Sequence, residues 1–288
     1  MHPGSADDEP LVARVPGPAG DVRVQVWPAL EDPGRPVLLA FHGWTDGGLV
    51  FGPLAEALGR RWTVVAPDAP AHGGTPWRPS PGASGREEHR LDDQIAVGVA
   101  VLDALPALRG RRSPVVTLGH SMGAIPAVGV AAARPDAVRH VVLEDPVRTA
   151  GRPARRQTER RRRVEALQAL DLDARIALGR AEHPEWPDDE LSPWARTKGE
   201  VDVAHLRPAT DWGEPLATRL AGIGCPVTLV HGAPARGGIV SAASARRAAR
   251  ACRAGCEVLA LDAGHNVRRE ARPGFVAALA AVLTEHAS

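Results

Sequence analysis

The sequence predicts an α/β protein with a doubly wound, mostly parallel sheet and a helical cap inserted after strand 6. Three observations predict it. Short continuous apolar runs recur, such as Val37-Leu38-Leu39-Ala40-Phe41 and Thr63-Val64-Val65-Ala66, and suit strands buried on both faces. Helical patterns lie between them, which is the βαβ repetition of a parallel sheet. One long stretch, from 146 to about 213, breaks the rhythm with Pro, Arg, Trp and acidic residues and no strand-like run.

In chain order, residues 22–27 alternate as a half-exposed strand should, and apolar runs follow at 37–41, 63–66, 115–118, 138–143, 227–230 and 258–261. Helical patterns fall at about 51–60, 92–109, 122–134, 241–253 and 273–286. The run at 138–143 is the strand after which the cap enters. The expected core is therefore residues 1–146 with 214–288, and the expected cap 147–213, without internal repeats.

Composition narrows the function. The 288 residues carry 35 Lys plus Arg against 34 Asp plus Glu, so no global field draws nucleic acid or an anionic membrane. A small molecule is the expected partner; oligomeric state stays open. The first residues hold Asp7, Asp8 and Glu9 rather than a basic and then an apolar region. No apolar stretch approaches the roughly 20 residues of a membrane helix, so a cytoplasmic protein is expected. Cys225, Cys252 and Cys256 lack zinc spacing and imply no disulfide framework, which leaves buried or idle thiols. No GxGxxG follows the first strand, which speaks against a dinucleotide oxidoreductase. Neither a cofactor nor a metal is expected.

The chemistry centres on Gly119-His120-Ser121-Met122-Gly123, directly after the run 115–118 and directly before a small-residue stretch. Strand, sharp turn and helix in that order make a nucleophile elbow, whose glycines let the chain present the serine above the sheet. Ser121 is the expected nucleophile. A serine hydroxyl is a poor nucleophile unless a histidine takes its proton and donors hold the oxyanion. His265, in Leu261-Asp262-Ala263-Gly264-His265, lies just past the last strand, at the sheet edge expected for Ser121. The Trp44 amide, after Phe41-His42-Gly43, and the Met122 amide are the expected oxyanion hole.

These residues resemble those of the α/β hydrolase superfamily. Phe41-His42-Gly43-Trp44 matches its HG oxyanion loop, residues 68–75 loosely match its DxxGHGxS loop, and GHSMG and Ala263-Gly264-His265 match its nucleophile and base signatures. The likeness spans about residues 22–286 and is least informative in the cap. It implies hydrolysis of an ester, thioester, lactone or amide, with carboxylic ester first. The acid departs from the pattern: the usual GxxD after the seventh strand reads Gly232-Ala233-Pro234-Ala235, without a carboxylate. Some family members, including certain haloalkane dehalogenases, carry it at the end of the strand before the cap, where this chain has Leu143-Glu144-Asp145-Pro146. Asp145 matches best and keeps the order Ser, acid, His. Glu144 is the alternative, since adjacent strand residues face opposite ways; a third reading is that neither serves, and Asp145 caps the turn into the cap.

Rival readings stand beside this one. The same residues serve carbon–carbon hydrolysis of a β-diketone or related acid. A non-catalytic ligand-binding protein on the same fold is made credible by Ala235. Dehalogenation is disfavoured by a serine nucleophile and by Met122 where the dehalogenases share a Trp. His42, His72 and His120 are expected to brace backbone, and Asp262 to satisfy loop amides. Arg152, Arg155, Arg156, Arg160, Arg161, Arg162 and Arg163 read as a solvated helix face, or, if some face the cleft, as a clamp for a carboxylate or phosphate. Trp186, Trp194 and Trp212, with Pro187, Leu191 and Pro193, form either an apolar pocket wall or the packing of cap on core.

Overall fold

Apolar, β-branched segments form eight strands among the described residues: β1 (Leu11–Gly17), β2 (Gly20–Trp27), β3 (Val37–Phe41), β4 (Thr63–Pro67), β5 (Val115–His120), β6 (Val138–Glu144), β7 (Val227–His231) and β8 (Cys256–Ala260). The computed structural model describes residues 9–30, 35–77, 91–109, 113–147, 154–204 and 214–287; for 91, 92, 108, 109 and 154–157 it describes the backbone alone. The strands join one sheet in the order β1-β2-β4-β3-β5-β6-β7-β8. β2 runs antiparallel to β1 and β4, and the pairs from β4 to β8 are parallel.

Alternation along each strand sends side chains to two cores. On one face Leu39, Val65, Val141 and Leu229 pack against α2 (Leu91–Arg109), α3 (Ala124–Ala133), α7 (Leu216–Ala221) and α8 (Ala242–Ala251). On the other, Leu38, Val64, Val116 and Val230 pack against α1 (Gly52–Ala57) and α10 (Arg272–Glu285). Covering both faces is what continuous apolar runs require of a parallel sheet.

β1 was not expected from the sequence. Leu11 and Val12 are each 62% exposed, and Arg14 and Pro16 interrupt the run, so this edge strand is held by pairing with β2 more than by burial. Between β6 and α7 the described chain is largely helical: α4 (Ala154–Gln168), α5 (Leu172–Glu182) and α6 (Leu191–Gly199). Asp171 caps α5 by accepting from the Ala174 amide at 2.8 Å. These helices have a small core of their own in Leu167, Trp186, Leu191, Trp194 and Ala195.

Candidate active site

The sheet reverses its winding between β3 and β5, and ligands of open α/β sheets bind outside the carboxyl ends of strands at such a point. Phe41, the last residue of β3, pairs with Gly119 near the end of β5, so the HG loop and the elbow leave the sheet side by side. The elbow is tight. A Cβ on Gly119 would lie 2.3 Å from the Gly123 carbonyl oxygen, and one on Gly123 would lie 2.1 Å from that of Phe41. Ser121, between them, has φ 53°, left-handed backbone that a non-glycine residue adopts at a cost of about 1–2 kcal/mol.

Ser121, His265 and Asp145 form one hydrogen-bonded chain. Asp145 Oδ2 lies 2.6 Å from His265 Nδ1, and His265 Nε2 lies 2.9 Å from Ser121 Oγ. A carboxylate only accepts, so Nδ1 carries the imidazole proton and Nε2 is free to accept the serine hydroxyl proton. Asp145 is completely buried, and its oxygens also accept from the amides of Ile239 (2.8 Å) and Val240 (3.2 Å). Those amides follow a turn with Gly237 at φ 95°. The post-β7 loop, where Ala235 sits in a 3-10 turn, thus meets the acid through backbone donors.

Glu144 faces elsewhere. Its carboxylate accepts from the Arg268 amide at 2.8 Å and from the Arg268 guanidinium at 3.0 Å, and both side chains are buried. Arg268 is the second residue of the short helix α9 (Val267–Glu270), just past His265. Two consecutive acids therefore hold the histidine loop at two places, one on the imidazole and one on the backbone behind it.

The three histidines of the HG loop, the 68–75 loop and the elbow bind backbone. His42 Nε2 accepts from the Ala69 amide at 2.9 Å, His72 Nε2 from the Thr45 amide at 3.2 Å, and His120 Nε2 donates to the His265 carbonyl at 3.1 Å. Burial pushes the imidazoles of His42 and His120 below their ordinary value. Trp44 lines the same cleft as Ser121 and His265, and Met122 is buried at the start of the turn into α3. Asp262 does not satisfy loop amides: its side chain is 88% exposed and pairs with Arg236 at 3.6 Å, because β8 ends at Ala260 and leaves it on a solvent-facing bend.

Lys198 and Asp46 are the pair that sequence reasoning missed. From α6, the Lys198 ammonium donates to Asp46 (2.5 Å) and to the Thr45 carbonyl (2.7 Å), and both charged groups are buried. Thr45, at φ 68°, belongs to the loop that carries Trp44. Burial pushes the Asp46 carboxyl up, but Lys198, Arg269 and Arg268 together hold it well below the usual carboxylate range. One signal was available: Lys198 is the only lysine in the chain, where every other basic side chain of that charge is arginine.

Above Ser121 lies a cleft of about 230 Å³ between core loops and inserted helices. Trp186 and Trp194 line it while packing edge to face at 6.3 Å, so wall and packing are the same residues here. Arg160 and Arg163 also face it. Arg161 and Arg162 are exposed, as a solvated face predicts. Arg152 and Trp212 lie outside the described residues, as do the side chains of Arg155 and Arg156. The three cysteines are free and half-buried. Among the described residues no cluster of three His, Cys, Asp or Glu could hold a metal, and no helix is long and apolar enough to cross a membrane.

The chain is similar to known proteins. A serine hydrolase-like protein of Danio rerio is 36% identical over 136 residues, 46% of this chain and 36% of that protein. A pimeloyl-(acyl-carrier protein) methyl ester esterase of Chromobacterium violaceum is 31% identical over 217 residues, 69% of this chain and 75% of that one. The chain spans little more than a third of the length of the first curated relatives it matches. Among solved structures, the enol-lactonase from Burkholderia xenovorans LB400 superposes with a TM-score of 0.69 at 18% identity, covering 94% of this chain and all of that one. Residues 37–279 match the model of the alpha/beta hydrolase family. The chain belongs to the alpha/beta hydrolase family.

Proposed function

We propose that the protein is a serine hydrolase that cleaves a carboxylic ester or related small acyl compound through an acyl-enzyme, with residues 147–213 capping a core of 1–146 and 214–288. Ser121 Oγ attacks the carbonyl carbon and its proton passes to His265 Nε2. The Trp44 and Met122 amides hold the tetrahedral oxyanion, and Asp145 orients the imidazole and stabilises its charged form. Collapse breaks the bond to the leaving alcohol, which takes the proton from His265. Water, deprotonated by His265, then attacks the acyl-serine; the bond from the acyl carbon to Oγ breaks, the carboxylic acid leaves, and Ser121 Oγ takes the proton back from His265.

The observation that carries the reading is the unbroken relay from Asp145 Oδ2 through His265 to Ser121 Oγ, at 2.6 and 2.9 Å. An ester is favoured over other acyl compounds by the 31% identity to a methyl ester esterase. A fluorophosphonate probe is expected to label the wild-type protein, to spare Ser121→Ala, and to be matched by turnover of chromogenic esters. A wild type that resists the probe, or an Ser121→Ala variant labelled as well as wild type, overturns the reading.

A further inference from the structure

We propose that Arg160 and Arg163 form an anion subsite in the cleft above Ser121, which receives a carboxylate carried by the acyl substrate away from its scissile carbonyl. The inference rests on the hydrolase reading of Ser121 and names the substrate class for it.

Helical spacing selects these two arginines from the basic run. Residues 160, 163, 164 and 167 lie on one stripe of α4. Val164 and Leu167, each 3% exposed, seat that stripe on the protein, and all four residues line the cleft with Ser121 and His265. Arg161 and Arg162 fall on the outward face, where Arg161 pairs with Glu165 at 2.9 Å. The Arg160 guanidinium lies 5.4 Å from the ring centre of Trp44, which places it against the loop proposed as oxyanion donor.

Among the described residues the balance of charge in the cleft is positive. Arg160, Arg163, Lys198 and Arg269 line it against two acids, Asp46 and Glu182. Lys198 and Arg269 are committed to the framework: both face Asp46, and Arg269 also binds buried Glu190 at 3.1 Å. Arg163 pairs with Glu182, but the two side chains are 44% and 38% exposed, and such a pair contributes only about 0–1 kcal/mol. Exchanging Glu182 for a substrate carboxylate therefore costs little. Burial lowers the pKa of Lys198, and Arg269 and Arg160 lower it further, which agrees with a shared positive field. Two guanidinium forks suit a planar carboxylate better than a point charge would.

The test is calorimetric titration of Ser121→Ala protein with two esters of equal chain length, mono-4-nitrophenyl adipate and neutral 4-nitrophenyl hexanoate. The adipate ester is expected to bind about tenfold more tightly, with the preference shrinking as salt rises. Adding Arg160→Ala and Arg163→Ala should abolish the preference. Adding Arg161→Ala and Arg162→Ala, which removes the same charge from the outward face, should keep it. Equal or unmeasurable affinity for both esters, or equal loss of preference in the two pairs of variants, overturns the subsite. Fluorophosphonate labelling of the wild type separates the two ideas: a labelled protein without the preference loses the subsite alone, and an unlabelled one loses the hydrolase reading.

Discussion

Glu144 and Asp145 are adjacent in the chain yet serve opposite sides of it, Glu144 gripping Arg268 and Asp145 gripping His265. Asp145, at φ 37°, is where the backbone turns left-handed to leave β6.

Their substitutions should separate. Asp145→Asn is expected to cut ester turnover by about 10⁴, because the amide no longer fixes the imidazole tautomer. Glu144→Gln leaves Arg268 buried without its counter-charge and should cost about 3–5 kcal/mol of stability, read from the urea midpoint. Full turnover in Asp145→Asn would remove it from the relay.

Gly123→Ala should damage the fold near the site. The new Cβ meets the Phe41 and His42 carbonyls, which are backbone atoms that cannot swing aside. Overpacking of this kind costs about 1–3 kcal/mol. A denaturation midpoint equal to wild type would show that the elbow has more room than the structure gives it.

Much of this was legible in the sequence. Leu38 and Leu39 sit in a run with no polar member, and such a run has no place but a sheet covered on both sides. Short-range spacing likewise marked Ser121 and His265. The strand β1 was hidden because its stability comes from a partner strand, which local composition does not reveal. The choice between Glu144 and Asp145 depends on where Arg268 and the Ile239 amide arrive, both about a hundred residues away along the chain. Lys198 reaching Asp46 is hidden for the same reason.

Lys198→Met should lower both stability and turnover, since it leaves Asp46 buried and frees the Thr45 carbonyl beside Trp44. Arg269 still faces Asp46 at 3.5 Å, so the stability loss is expected below the about 3–5 kcal/mol of a wholly unpaired buried charge. Asp46→Asn in the same protein should recover part of it, and the double-mutant cycle measures the coupling. Additive losses would show that the two groups act independently.

Acid should destabilise the protein well above the carboxylate range. Burial lowers the imidazoles of His42, His120 and His140, the last to about 4. Each is neutral when folded but protonates near 6.5 when unfolded, so the unfolded chain binds more protons and stability falls as pH drops. For His140 the loss runs from about 6.5 down to about 4, at no more than about 1.4 kcal/mol per pH unit. Urea midpoints across that window should decline, and less steeply in His140→Gln. A flat profile would contradict the neutral buried imidazole.

The loop after β7 meets Asp145 through the peptide N–H groups of residues 239 and 240. Every amino acid except proline offers that group, so the contact with Asp145 asks nothing of the two side chains, which answer to the core instead: Val240 is buried there and Ile239 packs against it. A library randomised at these two codons should return apolar residues of similar size and exclude the one imino acid.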